Sequence, residues 1–247
     1  MDVIGIFLIG TVIGSFLNVC IDRLPRGGSL LSSPSQCEAC RRRLAPVELI
    51  PILSYLALRG HCRTCRSKIE LRVPLVELGT GLVFLLVYLR FGVSLRALVA
   101  GLFAVWLLVI AVIDLEQKRI LNVLTYPGIA VALAASMLVS RAPDWTVLAG
   151  GLLAGGALLA PALASRRGMG MGDVKLAALL GFLLGYPIIL VGLFLAFVLG
   201  GLISMGLLAA GRVGRKETVA FGPYLALGGF LAMLYGADLL GWWLARI

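Results

Sequence analysis

The chain has 247 residues, of which 60% are hydrophobic and 14% are charged, and its mean hydropathy is +1.03. A soluble globular domain has about 45–50% apolar and about 25% charged residues. The composition therefore excludes an ordinary soluble enzyme and indicates a polytopic membrane protein with spans of about 20 residues each. The formal net charge of +10 then fits basic cytoplasmic loops better than the binding of nucleic acid.

Eight apolar segments predict an all-α membrane protein of about eight transmembrane helices with a small cytoplasmic zinc-binding insert. The segments cover residues 3–20, 74–90, 96–113, 121–140, 145–164, 174–187, 188–210 and 222–245. The sixth is short, and Gly185 with Pro187 predicts a tight turn before the seventh. We expect a first transmembrane helix at 1–20, the insert at 21–73 and a seven-helix membrane core at 74–247.

The basic residues predict the orientation of the chain. With the N-terminus outside, all but four of the 22 Lys and Arg residues fall on the inner side. The exceptions are Arg90, Arg96, Arg141 and Arg246. Cytoplasmic loops are enriched in Lys and Arg, so the insert is predicted to be cytoplasmic. No basic region precedes the first apolar run and no small-residue cleavage site follows it, which favours an uncleaved first span over a secretory signal.

Glycines spaced four residues apart recur in the apolar segments. Such spacing lets helix backbones approach closely in lipid. We interpret it as helix packing within the chain rather than as a dimerisation motif. The pairs are Gly10 with Gly14, Gly151 with Gly155, and Gly181 with Gly185.

Four cysteines in the insert predict a metal site. Cys37 and Cys40 form one C-x2-C pair, Cys62 and Cys65 form a second, and 21 residues separate the two pairs. Two such pairs supply the four thiolates of a tetrahedral structural zinc site. Zinc would fold a short insert that lacks a large core. Disulfides, which the cytoplasm disfavours, and free thiols are the alternatives.

Other residues near these cysteines have expected roles. Arg41–Arg43, Arg63 and Arg66 surround the cysteines, and their charge is expected to favour the thiolate forms. His61, the single histidine, is superfluous beside four cysteines and is expected to be exposed. Cys20, at the end of the first segment, is expected to be a packed thiol.

Two acids lie at the same predicted depth, at the cytoplasmic membrane face. Asp114 ends the third segment and Asp173 opens the sixth. Two facing carboxylates can share a proton and activate water, because like charges so close cannot easily both ionise. This is aspartyl-protease chemistry, and the only histidine is in the insert, far from any membrane serine. The alternative is that each Asp caps a helix or pairs with Lys118 or Lys175.

The residues around Asp173 are predicted to form an active-site loop. Gly170 and Gly172 would give the backbone freedom to bend and leave room for a peptide substrate. The alternative is a flexible turn whose Asp only caps the next helix. Lys175 either tunes the pair of carboxylates or extends to the lipid headgroups.

Glu77 is a further acid, early in the second apolar segment. It follows Arg72 by about one and a half helical turns. We favour an ion pair between the two side chains over a position of Glu77 in the active site.

Landmarks along nearly the whole chain resemble those of one family. They are GSFLNVCIDRLP at 14–25, the two cysteine pairs, RVPLVE at 72–77, Asp114 with NVLT at 122–125, GMGDVK at 170–175 and FGPY at 221–224. In this order they resemble the type IV prepilin peptidases of the bifunctional bacterial kind, members of the GxGD aspartyl proteases. Leu121 and Glu38 stand where the family usually has proline, but neither departure changes a carboxylate or a thiolate.

The resemblance implies that Asp114 and Asp173 remove the basic leader of prepilins and pseudopilins at the cytoplasmic face of the bacterial inner membrane. It also implies methylation of the new N-terminal amine, with S-adenosylmethionine as the methyl donor. The sequence has no G-x-G-x-x-G after a strand, so a methyl-transfer site would have to use the insert and neighbouring loops. Asn18 and Arg23 are the candidates. Lipid and prepilins are the expected partners, and nucleic acid is not.

Two other function classes are weighed against the peptidase. A proton-coupled transporter would use the same aspartates as a relay, but transport folds often contain internal repeats and none is seen here. A zinc-stabilised scaffold would assemble secretion components without any chemistry.

Overall fold

The computed structural model describes residues 2–30, 34–139, 144–164, 169–211 and 219–246. Within these ranges the chain forms nine α-helices and no strand, so the predicted all-α class is confirmed. The helices are α1 (Val3–Arg23), α2 (Leu53–Ala57), α3 (Arg72–Phe91), α4 (Leu95–Gln117), α5 (Asn122–Val139), α6 (Asp144–Ala164), α7 (Met171–Leu184), α8 (Ile188–Ala209) and α9 (Gly222–Leu244).

Eight of these helices correspond to the eight predicted segments, and α2 is an additional short helix in the insert. Two differences bear on function. The fourth helix continues to Gln117, and α7 begins at Met171 rather than at residue 174. Both Asp114 and Asp173 therefore lie inside helices. The predicted turn between α7 and α8 is present.

The described helices make the chain a multi-pass membrane protein. Six of them, α1, α3, α4, α6, α8 and α9, are long and apolar enough to cross a membrane. The seventh has 14 residues, a length of about 21 Å at about 1.5 Å per residue, which is less than the hydrocarbon core of about 30 Å. The count of eight spans and the orientation stay predictions. Six residues of the charge argument lie outside the described residues: Arg141, Arg166, Arg167, Arg212, Arg215 and Lys216.

The chain divides into two compact units, Met1–Val105 and Trp106–Ile247. We call them unit one and unit two. Unit one contains α1, the insert with α2, α3 and the first part of α4. Unit two contains the rest of α4 and α5 to α9. The predicted division at residues 20 and 73 stays a prediction.

In unit one, α1 and α3 cross with their backbones in contact. A methyl group built on Gly10 would lie 2.8 Å from Cα of Gly81, and one on Gly14 would lie 2.7 Å from Cα of Glu77. Since no side chain fits at either glycine, the predicted packing role of this pair is confirmed.

In unit two, α7 is the central helix. It contacts α5, α6, α8 and α9, and its side chains Leu176, Leu179 and Leu180 are fully buried. A methyl group built on Gly155 would lie 3.3 Å from Cβ of Ala178 in α7, so α6 also approaches α7 closely. These contacts hold the first turn of α7, and with it Asp173, inside the unit.

The crossing of α1 and α3 can be tested by a matched pair of substitutions. Gly14→Ala should lower the free energy of unfolding of the purified protein by about 1–3 kcal/mol, and with it the Tm, because the added Cβ would overlap the α3 backbone. Gly5→Ala in the same helix is the control, because nothing lies within 4 Å of its added Cβ. Both substitutions replace glycine by alanine within α1 and so raise the helix propensity equally. The difference in Tm between the two variants therefore measures the effect of the steric overlap alone. Equal Tm values for the two variants would contradict the close crossing.

Candidate active site

Two tight turns of unit one bring the four cysteines of the insert together. The carbonyl of Cys37 accepts the N–H of Arg41 at 2.8 Å, and the carbonyl of Cys62 accepts the N–H of Arg66 at 3.1 Å. Both arginines lie in the left-handed region, with φ of 56° and 59°. The two C-x2-C pairs thus fold by the same local geometry.

The sulfur positions fit a tetrahedral metal. The four Sγ atoms of Cys37, Cys40, Cys62 and Cys65 all lie within 4.8 Å of one another, and those of Cys37 and Cys65 are 3.8 Å apart. Zinc with bonds to sulfur of about 2.3 Å needs sulfurs about 3.8 Å apart. None of the five cysteines forms a disulfide, so the disulfide alternative is wrong.

Hydrogen bonds favour the thiolate forms of Cys37 and Cys65. The backbone N–H of Cys40 and the hydroxyl of Ser67 lower the pKa of Cys37 to about 6. Hydrogen bonds from the same Ser67 also lower the pKa of Cys65. These hydrogen-bond donors, rather than the expected charges of the arginines, are the main groups that stabilise the thiolates of Cys37 and Cys65.

Arg42 has a structural role instead. Its guanidinium makes two hydrogen bonds to Glu48, of 3.0 and 2.6 Å, which lower the pKa of that carboxyl. Glu48 also accepts the N–H of Ala45 at 2.8 Å, and this hydrogen bond fixes the backbone between the two turns. His61 is half-buried rather than exposed, and its Nδ1 lies 2.7 Å from the carbonyl oxygen of Arg59.

Unit one also contains a cavity of about 770 Å³, bounded by α1, the insert and α3. Both methyl-transfer candidates, Asn18 and Arg23, line it. The guanidinium of Arg23 donates to the carbonyls of Ser29 and Pro34 at 3.1 and 3.3 Å, so it holds the start of the insert beside the helix.

Asn18 is 6% exposed and is held in one orientation. Its Nδ2 donates to the carbonyl of Gly14 at 3.2 Å and to that of Val73 at 3.1 Å. Its buried Oδ1 has no hydrogen-bond donor among the described residues.

Glu77 does not pair with Arg72 as predicted. Its Oε2 accepts the N–H of Ile52 at 2.7 Å, so it ties α3 to the insert. Arg72 reaches Asp22 at 2.6 Å and Glu70 at 3.4 Å. The predicted ion pair is therefore wrong, and Glu77 instead lines the cavity.

Asp114 lies near the end of α4 in unit two and is 5% exposed. Its Oδ2 accepts the backbone N–H of Gly222, the first residue of α9, at 3.1 Å. A methyl group on Gly222 would lie 2.6 Å from this oxygen and 3.1 Å from Cδ1 of Ile120. Only glycine lets the α9 backbone approach the carboxylate this closely.

Asp173 lies in the first turn of α7 and is 8% exposed. Its Oδ2 accepts the N–H of Gly170 at 3.0 Å, and its own N–H donates to the carbonyl of Gly170 at 3.0 Å. Asp173 is therefore the third residue of its helix, and one of its carboxylate oxygens binds the N–H of the N-cap residue Gly170. Gly172 is helical rather than part of a loop, and a methyl group there would lie 2.8 Å from Cβ of Ile120.

The two aspartates come near each other in unit two. They are close enough for their charges to interact. Neither takes part in an ion pair within the described residues, so the pairing alternative with Lys118 or Lys175 is wrong. In each carboxylate Oδ2 is bound to a backbone N–H, which leaves Oδ1 to bind a proton or a water molecule.

Lys175 connects two helices. Its Nζ donates to Oδ1 of Asn122 at 2.8 Å and lies 4.8 Å from the ring centroid of Tyr126. It therefore holds the first turn of α7 against α5.

The sequence did not predict the contacts that position the aspartates and Lys175. Gly222 and Asn122 belong to motifs that were recognised, FGPY and NVLT, but their hydrogen bonds were not foreseen. Ile120 carried no signal, because an isolated apolar residue in a membrane protein is indistinguishable from its neighbours.

Two family models match the chain. The family model described as "Bacterial Peptidase A24 N-terminal domain" matches residues 8–91, and that described as "Type IV leader peptidase family" matches residues 101–205. The chain is 34% identical over 240 residues to a prepilin leader peptidase/N-methyltransferase of Bacillus subtilis (strain 168), covering 97% of this chain and 96% of the relative. The chain belongs to the type IV leader peptidase family.

Other members of the type IV leader peptidase family show similar likeness. Proteins of the same description from Pseudomonas putida and Pseudomonas aeruginosa are 33% and 31% identical, covering 94% and 93% of this chain and 90% and 89% of the relatives. No solved structure matches the chain. The resemblance seen in the sequence is confirmed, and the transporter alternative has no support.

The thiolate cluster predicts a stable metal content. Purified wild-type protein should contain about one zinc ion per chain, and Cys37→Ser should lose it, because a structural zinc site needs all four ligands. The measurement is elemental analysis after dialysis against a weak chelator. Cys20→Ser is the control, since Cys20 is a buried thiol outside the cluster and its loss should leave the zinc content unchanged. Metal-free wild type would contradict the zinc assignment.

Proposed function

We propose that this chain is a membrane aspartyl endopeptidase that removes the basic leader of type IV prepilins and pseudopilins. Asp114 and Asp173 are the catalytic residues of the proposal. The observation that carries it is a pair of buried, mutually close carboxylates, each bound through one oxygen to a backbone N–H and not to a cation. The substrate class comes from the printed names of the relatives.

The reaction follows from the state of these two carboxylates. Because their charges repel, one keeps a proton while the other is ionised. The ionised carboxylate takes a proton from water as the water oxygen attacks the scissile carbonyl carbon, and the protonated one donates its proton to the carbonyl oxygen. As the resulting diol collapses, the carboxyl that took the proton from water gives it to the amide nitrogen, the peptide C–N bond breaks, and the other carboxylate takes a proton back from a diol hydroxyl. We place the proton that the pair shares at an Oδ1 atom, since each Oδ2 already accepts an N–H.

The second proposed activity is methylation of the new N-terminal amine, because the relatives are named as N-methyltransferases too. S-adenosylmethionine supplies an electrophilic methyl group when it is bound. The unit-one cavity suits such a molecule in size, since small-molecule sites are about 300–1,000 Å³, and its volume is about 770 Å³. Asn18 and Arg23 line this cavity together with side chains of both charges, which suit a ligand that carries a carboxylate as well as positive charges.

The proposed zinc ion is structural. Four thiolates complete its coordination and leave no position for water or substrate. Its role is to fold the insert, whose cysteines would otherwise lie in a short segment without a large core.

The proposed location is the bacterial cytoplasmic membrane, with the N-terminus outside and the insert and the aspartates on the cytoplasmic side. Support comes from the excess of Lys and Arg in the loops on that side. This orientation lets the peptidase meet a leader that has not crossed the membrane.

The proposed pair of catalytic aspartates, which we call the dyad, predicts the result of two conservative substitutions. Asp114→Asn and Asp173→Asn should each reduce leader cleavage by about 10²–10⁴-fold, because the amide can neither accept nor donate the required proton. The measurement is mass spectrometry of the N-terminus of a co-purified prepilin incubated with folded enzyme. Asp238→Asn, an exposed position of α9, is the charge-matched control. Cleavage at the wild-type rate by either dyad variant would reject the assignment.

Gly222 predicts a more specific effect. Gly222→Ala should lower the cleavage rate by about 10²-fold, since displacing a catalytic group by about 1 Å has this cost. Its Cβ would lie 2.6 Å from Oδ2 of Asp114 and would force that carboxylate to move. Gly206→Ala is the control, because nothing lies within 4 Å of its added Cβ. If both variants cleave prepilin equally well, the backbone contact of Asp114 is dispensable.

A further inference from the structure

The wall of the unit-one cavity contains an acceptor whose orientation is settled. Both hydrogen bonds from the Asn18 amide nitrogen go to backbone carbonyls, those of Gly14 and Val73. Exchanging the nitrogen and the oxygen would set the oxygen against two other oxygens. Oδ1 is therefore the atom left over, and it is buried without a donor among the described residues. Buried polar atoms in native proteins nearly always have a partner, so this atom points to a ligand that donates a hydrogen bond.

A carboxylate belongs to the same wall. Glu77 is 4% exposed and lines the cavity together with Asn18. The two side chains come from helices in backbone contact, because Gly14 lies against Cα of Glu77. Glu77 accepts the N–H of Ile52 and a hydrogen bond from the side chain of Ser15. A carboxylate has about four lone-pair sites, so it retains acceptor capacity for a ligand.

Two of the arginines that line the cavity have partners of their own. Arg72 binds Asp22 and Glu70, and Arg23 binds two carbonyls of the insert. Neither guanidinium is paired with Glu77. Asn18 and Glu77 thus contribute an amide oxygen and a carboxylate to a lining that also contains basic side chains, and this part of the lining suits a positively charged donor.

We propose that Asn18 Oδ1 and the Glu77 carboxylate form a subsite for a primary ammonium group. This inference deepens the proposed function and rests on its second activity. That activity brings two primary ammonium groups to the protein: the N-terminus of the cleaved pilin and the amino-acid end of S-adenosylmethionine. The ammonium carries three donors and one positive charge, which match the acceptors of the wall.

The test is a comparison of binding constants with two matched pairs of probes. Full-length protein in lipid nanodiscs is titrated with a short apolar peptide beginning with phenylalanine, as the free amine and as the N-acetylated form. It is also titrated with S-adenosylhomocysteine and with the analogue that lacks the amino group. Wild type should bind the ammonium member of at least one pair about tenfold more tightly, as hydrogen bonds to charged groups contribute on this scale. Glu77→Gln and Asn18→Ala should each reduce that preference to about twofold or less.

The controls separate loss of the subsite from loss of folding. Glu77→Gln keeps an oxygen for the N–H of Ile52, and zinc content and Tm report whether each variant is folded. Asp2→Asn, which removes a charge at the opposite end of α1, should keep the wild-type preference. If Asn18→Ala does not fold, Glu77→Gln carries the test alone.

Each outcome is decisive. A preference confined to the peptide pair assigns the subsite to the substrate amine, and one confined to the cofactor pair assigns it to the amino-acid end of the methyl donor. No preference in wild type, or an unchanged preference in both folded variants, overturns the proposal. Leader cleavage and methylation of a prepilin are measured on the same preparations, so failure of the proposed function is seen separately from failure of ammonium binding.

Discussion

Unit two depends on how it holds two carboxylates away from water. A buried, ionised carboxylate is costly unless it is paired or hydrogen-bonded. Here the partners are backbone N–H groups at the starts of helices, Gly170 before α7 and Gly222 at the start of α9. Such groups have no partner within their own helix and carry partial positive charge. They stabilise each aspartate without the full positive charge of a Lys or Arg, which would keep both carboxylates ionised and prevent them from sharing a proton.

Properties that are local in sequence were predictable. Long apolar runs identify helices because burial in lipid depends on composition, and eight described helices correspond to eight such runs. The cysteine cluster was predictable because each C-x2-C pair folds within a few residues. The aspartates were recognisable as rare acids in apolar surroundings, and their shared depth followed from the order of the helices.

Contacts between distant residues were not predictable. Gly222 binds a carboxylate 108 positions away, and no pattern in one sequence reports such a contact. The interpretation of Glu77 failed for the same reason. Helical spacing suggested a pair with Arg72, but Arg72 reaches across 50 positions to Asp22 instead. The start of α7 was misplaced because glycines usually weaken a helix, whereas the helices around α7 and the reciprocal bonds of Gly170 and Asp173 hold its first turn.

The contact between Glu77 and Ile52 has a consequence beyond the cavity. This hydrogen bond joins α3 to the segment between the two cysteine turns. The contact of Arg72 with Asp22 also joins α3 to α1. A ligand that binds only the folded form stabilises everything that folds with it. The free energy of the proposed zinc binding would therefore stabilise α1 and α3 as well as the insert, and removal of zinc would destabilise both helices.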